Sequence, residues 1–132
     1  MEEVKKQTKT RILIIEDDVF IMDMYETKFK MAGFEVLRAE NGDKGIKVAR
    51  KEKPDLIVLD IVMPQMDGLE VLKVAKGDLE LKDIPVVLLT NLGQRENIEE
   101  GLKLGADDYI IKAHFTPDEV VGKVKKVLRK SK

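Results

Sequence analysis

The chain contains no cysteine and no tryptophan, and only 5% of its 132 residues are aromatic. Without cysteine the protein has no disulfides and no thiol chemistry, which is compatible with a reducing compartment. The charges almost cancel, since 24 lysines and arginines stand against 25 aspartates and glutamates. A net charge of -1 provides no global positive field that would attract nucleic acid or an anionic membrane. Any function that depends on charge must therefore reside in a local cluster.

The sequence also lacks long apolar segments. Its apolar runs are far shorter than the roughly 20 residues that cross a bilayer, and residues 1–6 lack the apolar stretch of a signal peptide. We therefore expect a soluble cytoplasmic protein. A length of 132 residues with 43% hydrophobic content is enough for one compact core. We expect a flexible tail over residues 1–10 and a single domain over residues 11–130.

Five short apolar segments alternate with five helical patterns, which predicts an α/β domain. The predicted strands are residues 11–15, 34–39, 56–60, 86–90 and 109–111. Their apolar character is typical of strands buried on both faces of a parallel sheet. Asp18 is placed to cap the first helix, and a capping box over residues 116–119 opens the last. The fourth helix, roughly residues 94–104, has Leu102 among its apolar positions and is weakened by Gly101.

Charged and hydroxyl side chains stand where the predicted strands end. Glu16 and Asp17 follow the first strand, Asp60 ends the third, Thr90 ends the fourth and Lys112 follows the fifth. A parallel sheet brings these strand ends to one edge, where ligands bind in open α/β sheets. Two carboxylates about 4 Å apart repel each other by roughly 4 kcal/mol at an effective dielectric of 20, so three of them favour a bound cation. Oxygen ligands without cysteine or nearby histidine favour Mg²⁺ over zinc.

A carboxylate beside such an ion can attack a phosphoryl group, because the metal neutralises the charge that would otherwise repel the phosphate. Asp60 is the candidate nucleophile, and Lys112 and Thr90 could bind the oxygens of the new phosphoryl group. Each of these two residues alone has a plainer interpretation. Lys112 could be an ion-pair partner, and Thr90 could be a β-branched strand end. The combination favours phosphoryl transfer to Asp60.

With these residues in view, the sequence resembles the receiver domain of two-component response regulators over roughly residues 10–130. The acidic pair Glu16-Asp17, the Asp-x-x-Met-Pro motif at residues 60–64, Thr90 and Lys112 carry the resemblance, and the intervals between them also fit. The implied fold is a flavodoxin-like (βα)5 three-layer sandwich, in which a parallel five-stranded sheet has the order 2-1-3-4-5. A single-domain regulator is the expectation.

The resemblance also implies a role for each residue of the site. Asp60 would be the phosphoacceptor and would bind Mg²⁺ directly together with Asp17, while Glu16 would act through water. The backbone carbonyl of Val62 would complete the protein ligands. Thr90 and Tyr109 would form a switch that changes the surface made by the fourth helix, the fifth strand and the fifth helix. A buried sheet-edge residue is the plainer reading of Tyr109.

The expected partners follow from the same resemblance. A sensor histidine kinase or a histidine phosphotransfer protein would supply the phosphoryl group, and a downstream protein would bind the switched surface. We expect no direct contact with nucleic acid or membrane. The chain would not be an enzyme in the usual sense, because it would catalyse only its own phosphorylation and dephosphorylation. The identity of the kinase, of the target and of the pathway stays open.

Three other functions compete with this interpretation. A flavodoxin-type enzyme would need a phosphate-cradling loop where the acidic pair stands, and a haloacid-type phosphatase would need Asp-x-Asp after the first strand. A degenerate receiver, acting as a phosphorylation-independent protein-binding module, is the serious alternative.

The sequence departs from the family at Ala113, where proline is usual, and at Asn91, where a small residue is usual. The isomer of the Lys112–Ala113 peptide and the role of His114, which we read as a loop residue, stay open.

Overall fold

The computed structural model describes residues 9–91, 95–112 and 116–130, which contain five strands and five helices in strict alternation. The elements are β1 (Arg11–Ile15), α1 (Val19–Met31), β2 (Glu35–Ala39), α2 (Gly42–Glu52), β3 (Leu56–Asp60), α3 (Gly68–Gly77), β4 (Val86–Thr90), α4 (Arg95–Lys103), β5 (Asp108–Ile111) and α5 (Pro117–Lys130). All neighbouring strands pair in parallel, in the order β2-β1-β3-β4-β5. The predicted flavodoxin-like fold is confirmed.

The sheet separates two apolar cores, which makes the domain a three-layer structure. Alternate side chains of a strand point to opposite faces, so Ile12 and Ile14 face one core while Leu13 and Ile15 face the other. Helices α1 and α5 cover the first core, and α2 and α3 cover the second. Strands β3 and β4 are buried along their whole length. Their uninterrupted apolar sequences are explained by this burial on both faces.

Side chains at the helix starts satisfy backbone N–H groups as the sequence indicates. The carboxylate of Asp18 accepts a hydrogen bond from the N–H of Ile21, which confirms Asp18 as the cap of α1. The predicted capping box before α5 is present, since Thr116 and Glu119 exchange side-chain to backbone hydrogen bonds. Such caps stabilise a helix by about 1 kcal/mol each. They fix where the chain turns from a strand end into the next helix.

In helix α4 a glycine lies closest to the sheet. Leu102 is 42% exposed, whereas Gly101 is buried. A Cβ atom at Gly101 would lie 2.3 Å from Cδ1 of Leu88 in β4. The glycine therefore lets α4 approach β4 closely. A glycine that looks like a helix breaker in the sequence is a packing contact in the fold.

The element boundaries shift slightly from those predicted. Strand β2 begins one residue later than expected and β5 one residue earlier, while α4 covers residues 95–103. The Lys112–Ala113 peptide, His114 and residues 1–8 lie outside the described residues, so the expectations for them and the tail boundary stay predictions. None of the helices that the structure describes is long and apolar enough to cross a membrane. The cytoplasmic location also stays a prediction.

Candidate functional site at the carboxyl edge

The carboxyl edge of the sheet brings the predicted site residues together. Glu16 directly follows β1, Asp60 is the last residue of β3, and Lys112 directly follows β5. Asp60 pairs in register with Leu89, the residue before Thr90. Because the central strands end at the same level, side chains that are far apart in the sequence meet there.

A single ammonium group joins two buried carboxylates. Nζ of Lys112 lies 3.1 Å from Oε1 of Glu16 and 3.3 Å from Oδ1 of Asp60. Glu16 is 1% exposed and Asp60 is 3% exposed. Charges this deep are stable only when they are paired, because burial removes their hydration. Lys112 is therefore the counter-ion of the cluster, which fits the ion-pair reading without excluding a role in phosphoryl transfer.

A third carboxylate, that of Asp17, lies at the solvent side of this pair. Glu16, Asp17 and Asp60 each offer a carboxylate oxygen, and these oxygens lie within 4.8 Å of one another. Asp17 is exposed while the other two are buried. An oxygen-only donor set that opens to solvent on one side matches the preference of Mg²⁺, which retains several water ligands. The three residues therefore fit the ion that the sequence predicts.

The electrostatics of the cluster favour a cation as well. Burial, reinforced by the charge of Asp60, raises the pKa of Glu16 to about 7, although Lys112 acts in the opposite direction. Burial also raises the pKa of Asp60 above its ordinary value, against the effect of Lys112. Burial lowers the pKa of Lys112, but the two carboxylates outweigh it and the net shift is upward. One ammonium does not compensate the negative charge, so a divalent cation would stabilise the ionised carboxylates.

The start of α1 holds Glu16 in place. Oε2 of Glu16 accepts a hydrogen bond from the N–H of Asp18 at 3.0 Å, while Oε1 faces Lys112. Asp18 in turn caps α1. Both oxygens of Glu16 are thus engaged, and its orientation depends on the turn that leads into the helix.

The loop between β3 and α3 is shaped by a close backbone approach. The N–H of Gly68 donates a hydrogen bond to the carbonyl of Ile61 at 2.7 Å, and a Cβ atom on Gly68 would lie 2.3 Å from the carbonyl oxygen of Asp60. The absence of a side chain at Gly68 therefore allows the start of α3 to pack against the backbone of Asp60. Sequence reasoning did not identify this glycine, because the requirement depends on how closely α3 approaches the end of β3.

The same loop contains a tight turn and an exposed apolar residue. Gln65 has a φ of +70°, and the N–H of Met66 donates to the carbonyl of Pro64 at 2.8 Å. These features define a three-residue γ-turn, which is a strained conformation for a residue other than glycine. Val62 follows Asp60 by two residues and is exposed. Its predicted role as a carbonyl ligand stays a prediction.

Thr90 and Tyr109 lie on the side of the site next to α4. Thr90 is buried at the end of β4, and its hydroxyl donates to the carbonyl of Asn91 at 3.3 Å. Tyr109 is half-buried in β5 and lines a cavity of about 510 Å³ together with residues of α4 that include Ile98 and Leu102. Nζ of Lys123 in α5 lies 5.8 Å from the centre of the Tyr109 ring. The residues of the predicted switch surface are therefore contiguous.

Comparison with known proteins identifies the family to which the chain belongs. The model of the response regulator receiver domain matches residues 12–125. The phosphate regulon transcriptional regulatory protein PhoB of Pseudomonas aeruginosa is 42% identical over 120 residues, which cover 91% of this chain and 52% of that protein. The DNA-binding dual master transcriptional regulator RpaA of Synechocystis is 41% identical over 121 residues, which cover 92% of this chain and 50% of that protein. The chain spans about half the length of the curated relatives it matches.

Solved structures agree with the family model. A response regulator from Chloroflexus aurantiacus is 32% identical and superposes with a TM-score of 0.87, covering 92% of this chain and 99% of the other. The chemotaxis protein CheY4 of Vibrio cholerae is 28% identical and superposes with a TM-score of 0.85, covering 91% of this chain and 99% of the other. The similarity extends over nearly the whole length of both chains.

Proposed function

The chain belongs to the response regulator receiver domain family of two-component systems, and from this premise we propose that it accepts a phosphoryl group on Asp60. The observation that carries the proposal is the buried carboxylate of Asp60, 3.3 Å from the ammonium of Lys112 and within 4.8 Å of two further carboxylate ligand groups. Asp55, which directly precedes β3, is exposed, and among the described residues it has no ammonium of a lysine paired with it. The contrast between these two aspartates supports Asp60 as the acceptor.

The proposed step is an in-line displacement at phosphorus. A carboxylate oxygen of Asp60 forms a new bond to phosphorus, and the bond from phosphorus to the donor breaks. The donor is a phosphohistidine nitrogen of a sensor histidine kinase or a histidine phosphotransfer protein, and the released imidazole takes up a proton. Lys112 binds an oxygen of the transferred group, and the hydroxyl of Thr90 donates to another. The chain catalyses only its own phosphorylation and dephosphorylation, so we do not class it as an enzyme.

We assign the Mg²⁺ ligands to Asp17, Asp60 and the carbonyl of Val62, with Glu16 acting through water. When bound, the ion neutralises the carboxylates and the oxygens of the incoming phosphoryl group. Two further residues position these ligands. The N–H of Asp18 orients Glu16, and Gly68 permits the backbone approach that places Asp60.

The proposed output is a change of the surface made by α4, β5 and α5. Thr90 moves toward the phosphoryl group and Tyr109 turns inward, so that a downstream protein binds one arrangement better than the other. The glycine contact between α4 and β4 limits the packing area of this helix, which suits a surface with two arrangements of similar energy. One relative is named a DNA-binding regulator, but we propose protein contact and not DNA contact for the receiver surface itself.

Phosphorylation of purified protein tests the proposal. Incubation with acetyl phosphate and Mg²⁺ is expected to add the mass of one phosphoryl group, and omission of Mg²⁺ is expected to abolish the gain. Asp60→Asn should remove all modification, because the amide nitrogen and oxygen cannot form the acyl phosphate. Asp55→Asn, a carboxylate at the opposite end of the same strand, is the matched control and should be modified like the wild type.

The outcome also separates the alternative function. A wild-type protein that is modified by neither acetyl phosphate nor phosphorylated histidine donors, with or without Mg²⁺, would favour the phosphorylation-independent binding module. Modification that persists in Asp60→Asn would show that the acceptor is another residue.

A further inference from the structure

A groove of about 560 Å³ lies at the amino end of the sheet, which is the end opposite to Asp60. Its walls come from the loops before β3 and β4, from the residue before β1 and from the last turns of α5. Apolar side chains form half of its lining, namely Phe34, Pro54, Ile84, Pro85 and Leu128. A groove of this volume lies in the size range of ligand sites. The proposed phosphoryl transfer uses none of its residues.

The two walls of the groove carry opposite charges. On one wall, Lys125 and Arg129 are exposed and lie four residues apart, so they are neighbours on the same side of α5. On the other wall, Asp55 precedes β3 and Asp83 precedes β4, and both are exposed. Within the part of the chain that the structure describes, Asp83, Lys125 and Arg129 form no ion pair. A segment with charges of both signs can therefore be bound between these walls.

The chain reaches this groove at Thr10. This residue lines the groove and directly precedes β1, and residues 1–8 come shortly before it with the sequence Met-Glu-Glu-Val-Lys-Lys-Gln-Thr. Strand β3 lies next to β1, and β4 lies next to β3, which places their ends roughly 5 and 10 Å from the end of β1. An extended chain covers roughly 3.3 Å per residue. Residues 1–8 are therefore long enough to cross both strand ends and reach α5.

We propose that residues 1–8 occupy the groove as an intramolecular strap across the amino end of the sheet. The lysine pair at residues 5–6 lies closer in sequence to Thr10 and pairs with the aspartates of the loops. The glutamate pair at residues 2–3 lies farther along and pairs with the cations of α5. Val4, between the two pairs, covers the apolar lining. The opposite charges of the walls favour this one direction of the segment, and the strap keeps a second chain out of the groove.

Disulfide trapping tests the position of the strap, because the chain has no cysteine of its own. Val4→Cys combined with Ile84→Cys, a half-buried residue of the groove, is expected to form an intramolecular disulfide under mild oxidation. Val4→Cys combined with Leu79→Cys is the matched control. Leu79 is 84% exposed and follows α3 at the same end of the sheet, but it does not line the groove. Docking should make the Ile84 pair form about tenfold faster, because it raises the effective concentration of the two thiols.

Reversal of the charges tests the direction of the strap. Glu2→Lys together with Glu3→Lys should slow the trapping of the groove pair several-fold, because it places like charges against α5. Addition of Lys125→Glu and Arg129→Glu should restore the trapping rate, because the opposite charges meet again. Mass spectrometry of the monomer from a non-reducing gel measures each rate.

Two further variants control for general effects. Lys126→Glu together with Lys130→Glu changes exposed cations of α5 that do not line the groove, and it should not restore trapping in the charge-reversed strap. Deletion of residues 1–8 should lower the melting temperature by about 3 °C, since it uncovers the apolar lining. The same deletion should leave phosphorylation by acetyl phosphate at the wild-type rate, because the groove and Asp60 lie at opposite ends of the sheet.

Each contrary result overturns a defined part of the inference. Equal trapping of Val4→Cys with Ile84→Cys and with Leu79→Cys overturns the strap and leaves the flexible tail that the sequence predicts. Disulfide-linked dimers whose yield rises with protein concentration also overturn it, because the occupant would then come from a second copy of the chain. Trapping that does not respond to charge reversal overturns the charge pairing. None of these results bears on the phosphorylation of Asp60, which Asp60→Asn tests separately.

Discussion

The two ends of the sheet place carboxylates in different surroundings. At the amino end, Asp55 accepts a hydrogen bond from the backbone N–H of Arg11 at 2.8 Å. Asp107 likewise accepts one from the N–H of Val86 at 2.9 Å, and both aspartates are exposed. At the carboxyl end, Glu16 and Asp60 are buried and share one ammonium. The first pair stabilises strand starts, whereas the second holds charge in a site that favours a cation.

This difference indicates that the carboxylates at the carboxyl end of the sheet lower the stability of the fold, whereas those at the amino end do not. A carboxylate that accepts a backbone N–H bond at the surface contributes modestly to folding. A buried carboxylate next to another carboxylate opposes folding unless a proton or a metal neutralises it. The opposite signs of these contributions can be measured as changes in the free energy of unfolding.

Without divalent metal, the free energy of unfolding is expected to fall as the pH rises from about 4.5 to about 7, the range between the ordinary and the raised pKa of Glu16. A carboxyl group whose pKa is raised by folding contributes stability below its unfolded pKa and loses that contribution as the pH passes through the folded value. Glu16→Gln stays neutral, so it should flatten this part of the curve and gain on the order of 2 kcal/mol at about pH 8. Urea denaturation over a pH series measures the effect.

Asp55→Ala is the control from the other end of the sheet. It removes the acceptor of the Arg11 N–H and should cost about 1 kcal/mol, opposite in sign to Glu16→Gln. Addition of Mg²⁺ at about pH 8 should stabilise the wild type more than Glu16→Gln. The comparison between the two ends fails if Glu16→Gln is the less stable protein at that pH without metal.

Two helical glycines provide a smaller contrast. Gly101→Ala places a methyl group 2.3 Å from Leu88 and should destabilise the fold by about 1–2 kcal/mol through overpacking. Gly77, the last residue of α3, has open space at its Cβ position, so Gly77→Ala should gain up to about 0.5–1 kcal/mol. Thermal denaturation compares the two variants. Equal effects in both would mean that helix propensity, and not the contact with Leu88, decides the residue at position 101.

The smallest expected difference concerns the two residues other than glycine with a positive φ among the described residues. Gln65 forms the γ-turn near the carboxyl end of the sheet. Lys53 lies near the amino end of the sheet, where it is the C-cap of α2 and has a φ of +49° in the left-handed region. Gln65→Gly should stabilise the protein by about 0.5–1 kcal/mol, because only glycine adopts such angles without strain. Lys53→Gly should gain less, because its conformation is a common helix ending. A loss of stability in Gln65→Gly would argue against strain in that turn.

Much of the fold follows from local patterns in the sequence. Uninterrupted apolar runs such as residues 56–59 predict strands buried on both faces, because only a covered parallel sheet hides every side chain of a strand. The cap at Asp18 and the box before α5 were also predictable, since capping depends on a few neighbouring residues. The meeting of Glu16, Asp60 and Lys112 at one edge follows once the sheet is known to be parallel.

The sequence predicts that Glu16, Asp60 and Lys112 lie near one another, whereas the distances between these groups depend on the tertiary structure. Local patterns specify which face of an element is buried, whereas the distance between groups on different elements depends on how those elements pack. For this reason Gly101 and not Leu102 faces the sheet, and the backbone of Gly68 packs against the backbone of Asp60. The raised pKa of Glu16 likewise arises from burial and from the charge of Asp60 on another strand, which no local pattern records.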